Sequence, residues 1–238
     1  MGMSIRIRAL SKRFQGLRVL DGVDLEIPAA QRVALVGANG AGKTTLVRCL
    51  LGEYCCEGEV RLGGLEPRLH RRQVLSRVSF VPQLPPPLRM PVGSFLRFAA
   101  DLCGGSIRPM EEVAERLGLR VALLRARSFV KLSGGQKQKL LIAVALGRRT
   151  DLLLMDEPAA NLDPHARQVF FELLQERAGR ATMLISSHRL QEVASLVERV
   201  VEMDRGQVTL DDRCGSERAC VSPSAPAGEA RPPREACR

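Results

Sequence analysis

Nothing constrains this chain more than the stretch Gly37-Ala38-Asn39-Gly40-Ala41-Gly42-Lys43-Thr44-Thr45. The apolar run Val33-Ala34-Leu35-Val36 precedes it, and Leu46-Val47-Arg48-Cys49-Leu50-Leu51 follows. That order reads as a buried strand, a glycine-rich turn and a helix. The spacing fits the phosphate-binding loop pattern G-x-x-x-x-G-K-[ST]. Its glycines let successive backbone N–H groups turn inward into a nest for an anion. The helix that follows adds unpaired N–H groups and the positive end of its dipole. In such a loop Lys43 reaches the β- and γ-phosphates, and the Thr44 hydroxyl holds Mg²⁺. The flanking strand and helix, and the Lys-Thr pair, separate this stretch from an ordinary glycine-rich turn.

With 238 residues and 45% hydrophobic content, the chain can bury a substantial core. No apolar run approaches the ~20 residues that span a bilayer. The opening, Met1 to Leu10, alternates Ile and Arg without the apolar centre of a signal peptide. The expectation is a cytoplasmic protein that does not itself cross a membrane. The net charge of +10 suits ATP, an anionic membrane surface or nucleic acid alike. Seven cysteines occur without any C-x-x-C spacing, so structural disulfides are not expected. Cys55-Cys56 and the cysteines of the tail have soft-metal chemistry, but no second ligand set accompanies them.

Ser4 to Leu10 and Val23 to Ile27 alternate apolar with polar residues and read as half-buried strands of an antiparallel edge sheet. Phe14 falls in the loop between them. The helix from Lys43 ends at Leu51, with Gly52 just past it. Gly58 to Leu62 and Arg77 to Val81 read as further strands. Pro85-Pro86-Pro87 and Pro91 then exclude regular helix or central strand. Helical spacing returns over Val92 to Leu102, Met110 to Leu117 and Val121 to Arg127. Leu132-Ser133-Gly134-Gly135-Gln136 opens a long helix through Leu146, with Ser133 and Gln136 spaced as a capping box. The wholly apolar Leu152 to Met155 reads as a central parallel strand ending in Asp156-Glu157-Pro158. Asp163-Pro164 starts a helix reaching Arg177. Thr182 to Ile185 is another buried strand, ending at Ser186-Ser187-His188. A helix from Arg189 to Val197 and strands at Arg199–Met203 and Gln207–Leu210 follow. Beyond Leu210 the periodicity stops, and 211–238 reads as a disordered tail rich in Pro, Ala and Arg.

These motifs, in this order, resemble the nucleotide-binding subunits of ABC transporters over residues 4 to 210. Gly37 to Thr45 looks like Walker A and Leu132 to Gln136 like the family signature. Leu152 to Asp156 looks like Walker B, with Glu157 at the catalytic glutamate position. Gln83 stands at the Q-loop position, Asn161-Leu162-Asp163 at the D-loop, His188 at the switch histidine and Phe14 at the adenine-stacking aromatic. The resemblance implies an α/β fold: a P-loop NTPase core with a mainly parallel sheet, an N-terminal antiparallel β subdomain and a helical insertion. It divides the chain into an ATPase domain at 1–210, its helical subdomain at about 84–147, and the tail.

It also implies ATP and Mg²⁺ as cofactors. Phe14, Gly37, Asn39, Gly40, Gly42, Lys43, Thr44 and Thr45 would bind nucleotide from one copy. Ser133, Gly134, Gly135, Gln136 and Asp163 would close over it from a second copy of this chain or a similar subunit. Thr44, Gln83 and Asp156 would hold the metal. Glu157 would polarise the attacking water, with Gln83 and His188 sensing and orienting the γ-phosphate. The implied function is ATP hydrolysis powering a separate transmembrane permease docked near residues 80–98, on the inner face of the membrane. No specific nucleic acid is expected. The alternative is a non-transport ATPase of the same family acting on nucleic acid or in protein or metal-site assembly. The single-core architecture looks similar to ATPases that serve simple exporters or maturation systems.

Overall fold

The computed structural model describes residues 2–213. In chain order these run β1 (Ile5–Phe14), β2 (Leu17–Ile27), β3 (Arg32–Val36) and α1 (Lys43–Leu50). Then come β4 (Glu57–Leu62), α2 (Arg71–Leu75) and β5 (Val78–Val81). Helices α3 (Val92–Leu102), α4 (Arg108–Arg116), α5 (Val121–Leu124) and α6 (Gly134–Gly147) separate β5 from β6 (Leu152–Asp156). The remainder is α7 (Pro164–Gln175), β7 (Thr182–Ser187), α8 (Leu190–Val193), β8 (Arg199–Asp204) and β9 (Gln207–Arg213).

One sheet has the order β2-β1-β4 and is antiparallel. The other has the order β5-β6-β7-β3-β8-β9 and is parallel except for its last pair. The chain therefore has the α/β arrangement of mainly parallel sheet, antiparallel sheet and helices read from the sequence. The strands β3, β6 and β7 carry the apolar runs Val33–Val36, Leu152–Met155 and Met183–Ile185 because both faces are covered. Val33, Leu35, Leu152, Leu154 and Leu184 pack with α1 and the antiparallel sheet. Ala34, Leu153, Met155, Met183 and Ile185 face the opposite way, into the core shared with α3, α4, α6 and α7. These three neighbouring parallel strands end side by side, so the chain emerging from each meets at one edge.

Several boundaries differ from the sequence reading. Ala9, at φ +47, shifts the register of β1 between Ile7 and Leu10. Gly58 accommodates this bulge: a Cβ there would lie 2.4 Å from the Ala9 carbonyl oxygen. The strand consequently continues past Leu10, and Phe14 is its last residue, paired with Leu17, rather than part of a loop. The strand β2 begins at Leu17, six residues before the alternation at Val23. Helix α2 was not expected, and α8 is one turn instead of a helix to Val197. Pairing with β8 carries β9 to Arg213, beyond Leu210. The rest of the expected tail, with Cys214, Cys220 and Cys237, lies outside the described residues. Among those described, no helix is long and apolar enough to cross a membrane.

Candidate functional site

The loop after β3 is shaped by its neighbours. At Gly37, φ +149, a Cβ would lie 2.2 Å from the Met203 carbonyl oxygen. Gly42, the N-cap of α1 at φ +104, has the Leu20 Cδ2 2.9 Å from its Cβ position. Strands β8 and β2 thus press on the loop where only glycine fits. Lys43 is buried, and its Nζ donates to the carbonyls of Gly37 at 2.7 Å and Ala38 at 3.0 Å. The ammonium is held against the loop's own backbone. A cleft of about 290 Å³ opens here, lined by Asn39, Gly40, Ala41, Gly42, Lys43, Thr44 and Thr45 together with Val19, Gln83 and Glu157.

The ends of β6 and β7 furnish the carboxylates. Asp156 is buried and accepts from the Ser186 hydroxyl at 2.6 Å. Glu157 follows at φ +48, a left-handed conformation unusual for a side chain of its size. Its N–H is shared between the Ser186 hydroxyl oxygen at 3.1 Å and the Ser186 carbonyl at 3.2 Å. Strain of this kind, held by surrounding bonds, clusters at functional sites. The Glu157 Oε2 lies 2.6 Å from the Nδ1 of His188. An ionised carboxylate only accepts, so Nδ1–H donates and Nε2 remains for another contact. A second cavity of about 130 Å³ also includes Glu157, and takes in His188, Arg167 and Glu192.

The Ser133–Gln136 segment is elsewhere. Ser133 caps α6, accepting from the Gln136 N–H at 3.2 Å, while Gln136 Oε1 accepts from the Ser133 N–H at 3.1 Å. The expected capping box is therefore present. A Cβ at Gly135 would lie 3.1 Å from the Asn161 carbonyl oxygen, whereas Gly134 has open space. Gln138 is fully buried and donates from Nε2 to the Pro158 carbonyl at 3.0 Å. Lys139 pairs with Asp163 at 2.6 Å. That ammonium, helped by the Ala166 N–H, holds the Asp163 carboxyl down at about 2. The segment thus rests on residues 158–163, and none of Ser133, Gly134, Gly135, Gln136 or Asp163 lines the cleft.

Phe14 is also outside that lining, 38% exposed, with Tyr54 edge-on at 5.1 Å and the Lys12 Nζ 4.7 Å from its ring centre. Sequence reasoning missed Val19, Ser186, Gln138 and Lys139. Gln138 carried a signal: it precedes the buried Leu141, Ile142 and Ala145 at helical spacing. Ser186 carried a weaker one, as a polar residue closing a buried strand. Two of the described cysteines have a plain explanation. Cys49 and Cys56 share a cavity of about 110 Å³, and burial pushes Cys49 up to about 12 and Cys56 upward too. A neutral, buried thiol such as Cys49 is unreactive. Among the described residues no three His, Cys, Asp or Glu side chains are grouped to hold a metal.

The family model for ABC transporters matches residues 20–160, which holds the phosphate loop, the Ser133 cap and the two carboxylates. The chain belongs to the ABC transporter family. Among its ABC relatives, the thiamine import ATP-binding protein ThiQ of Histophilus somni is 35% identical over 195 residues, covering 78% of this chain and 89% of that protein. The ribose import ATP-binding protein RbsA 1 of Rubrobacter xylanophilus is 35% identical over 216 residues, covering 86% and 43%. The sulfate/thiosulfate import ATP-binding protein CysA of Escherichia coli is 34% identical over 221 residues, covering 88% and 60%. The chain therefore spans less than two thirds of RbsA 1 and CysA. A solved ATP-binding subunit of an ABC transporter superposes with a TM-score of 0.80 at 25% identity, covering 88% of this chain and 89% of that one. A nucleotide-free ABC ATP-binding cassette gives 0.71 at 25% identity, covering 89% and 91%.

Proposed function

We propose that this chain binds and hydrolyses ATP in the Gly37–Thr45 cleft and thereby powers transport through a separate membrane subunit. One observation carries the reading: Glu157 lines the phosphate-loop cleft while its carboxylate sits 2.6 Å from His188. A carboxylate placed at the mouth of a triphosphate site, and oriented by an imidazole, is built to take a proton from an attacking water. To bridge Glu157 and a phosphate oxygen at once, His188 needs protons on both ring nitrogens. Lys43 exchanges its two loop carbonyls for phosphate oxygens, and the loop N–H groups hold the rest of the polyphosphate.

The residues fit a hard cation. Asp156 already has one oxygen tied to Ser186, and Thr44 and Gln83 bring neutral oxygens to the cleft. When bound, Mg²⁺ neutralises charge on the transferring phosphoryl group. Phe14 serves as the adenine platform, its ring still partly exposed. Ser133, Gly134, Gly135, Gln136 and Asp163 face a second copy, since they close nothing in their own chain. The Ser133 hydroxyl accepts from Gln136 and keeps its own proton to donate to a γ-phosphate. Leu84 and Phe98 stand in solvent on either side of the proline-rich connection after Gln83. They support a permease contact over residues 80–98 and hence a place on the inner membrane face. We keep the division into an ATPase domain with a helical subdomain at about 84–147. The relatives' names favour uptake over the simple exporters and maturation systems that the single-core architecture resembles.

Replacing Glu157 with Gln tests the reading. It keeps the shape and removes the base, so turnover falls about a thousandfold and an ATP-stabilised dimer accumulates. A Glu157→Gln chain that stays monomeric and turns over normally would refute it.

A further inference from the structure

We infer that Ser186 is a positioning residue for hydrolysis, its single hydroxyl aiming the Asp156 carboxylate and pinning the backbone of Glu157 together. The inference rests on the proposed ATPase reading. Ser186 is fully buried near the end of β7, directly opposite Asp156 in the β6–β7 register. A hydroxyl has one proton to give and two lone pairs to receive with. Here the proton goes to Asp156 Oδ1 at 2.6 Å. The oxygen therefore meets the Glu157 N–H, 3.1 Å away, as an acceptor.

The second of these groups, Glu157, lines the cleft, and Asp156 precedes it in the chain. With Oδ1 occupied, the remaining Asp156 oxygen is the one left for a cation. With its N–H held twice by Ser186, Glu157 stays in a left-handed conformation that non-glycine residues otherwise leave. That conformation decides where the Glu157 carboxylate meets His188. Ser187 cannot substitute, because its hydroxyl is spent on the Arg189 N–H and carbonyl at 3.0 and 3.1 Å. The apolar Leu184 and Ile185 before it offer no polar group.

Ser186→Ala and Ser186→Thr in the full chain separate positioning from mere packing. Steady-state kcat and KM, affinity for a fluorescent ATP analogue, and the thermal midpoint are read for each. Ser186→Ala is expected to lose about thirtyfold in kcat, with KM and analogue affinity within about threefold. Ser186→Thr, which keeps the hydroxyl, returns kcat to within about threefold. An alanine variant within about twofold of the native kcat overturns the inference. So does a loss of analogue affinity and thermal midpoint together with kcat, which marks a structural role. A threonine variant that binds the analogue normally yet stays slow overturns it as well. If the native chain turns nothing over, this inference and the ATPase reading fall together. If the native chain is active and Glu157→Gln is not, a fast Ser186→Ala sinks only the positioning role.

Discussion

The phosphate-loop cleft and the Ser133–Gln136 cap lie on one chain but are built in opposite ways. The cleft is tight: backbone and side chains press on Gly37 and Gly42 within 2.2 and 2.9 Å of where a Cβ would be, and Lys43 is buried. The cap is exposed at Ser133 and Gly134, and its hydrogen bonds close on themselves through Gln136. Its helix contacts Pro158, Asn161 and Asp163, none of which lines the cleft. On the proposed reading the cleft and the cap are halves of different pockets: each chain would lend one half and receive the other, with ATP joining them.

The largest effect expected from this contrast comes from breaking the two halves separately. Lys43→Ala removes the cleft's cation, and Ser133→Arg obstructs the cap. Each variant alone should lose turnover by about a hundredfold or more. Mixed in equal amounts, the two variants pair as heterodimers in half of the dimers, each with one pocket carrying both faults and one carrying neither, so ATPase activity returns toward about a quarter of the native value. If the mixture stays as inactive as its components, the two halves do not come from different chains.

The half that the sequence shows best is the cleft. Strands β3, β6 and β7 each contain an unbroken apolar run, and a run buried on both faces cannot hide. Each ends in polar residues with a short spacing, so Lys43, Asp156, Glu157 and His188 were legible together. The cap's box was legible too, because Ser133 and Gln136 interact locally. What the sequence concealed are contacts between distant segments. Nothing local says that Gly135 must clear the Asn161 carbonyl, or that Ser186 joins Asp156 to Glu157 across two strands. The antiparallel sheet was underread for a similar reason: the bulge at Ala9 breaks the alternation of β1, and only Gly58 on another strand explains why it is tolerated.

A smaller effect separates the two glycines of the cap. Both are helical, so an alanine at either position gains about 1 kcal/mol of helix propensity. Gly134 has open space, and Gly134→Ala should melt at or above the native temperature. At Gly135 the new methyl meets the Asn161 oxygen at 3.1 Å, and that carbonyl must give way slightly. Gly135→Ala should forfeit the propensity gain and slow turnover about fivefold, while nucleotide still binds the unchanged cleft. Equal melting points for the two variants would show that the cap does not rest on the Asn161 segment.

The smallest effect is electrostatic and lies on the cap side alone. Lys139 holds the Asp163 carboxyl at about 2, below its ordinary 3.8. A depressed carboxylate contributes stability that is present above 3.8 and is lost as the pH falls toward 2, because the unfolded chain takes up the proton first. Lys139→Met removes the main cause but leaves the Ala166 N–H in place. The Asp163 midpoint should then move up part of the way, and stability should fall less steeply between pH 4 and 2. A carbon-detected titration of the Asp163 carboxyl reads the first change, and urea melts across that range read the second. Because the Asp163 side chain is half exposed, added salt should erode the difference between native and variant chains. Nucleotide affinity of the monomeric chain at neutral pH should not move in Lys139→Met, since the cleft shares no side chain with this pair; a fall measured on the monomer would mean that cap and cleft communicate within one chain.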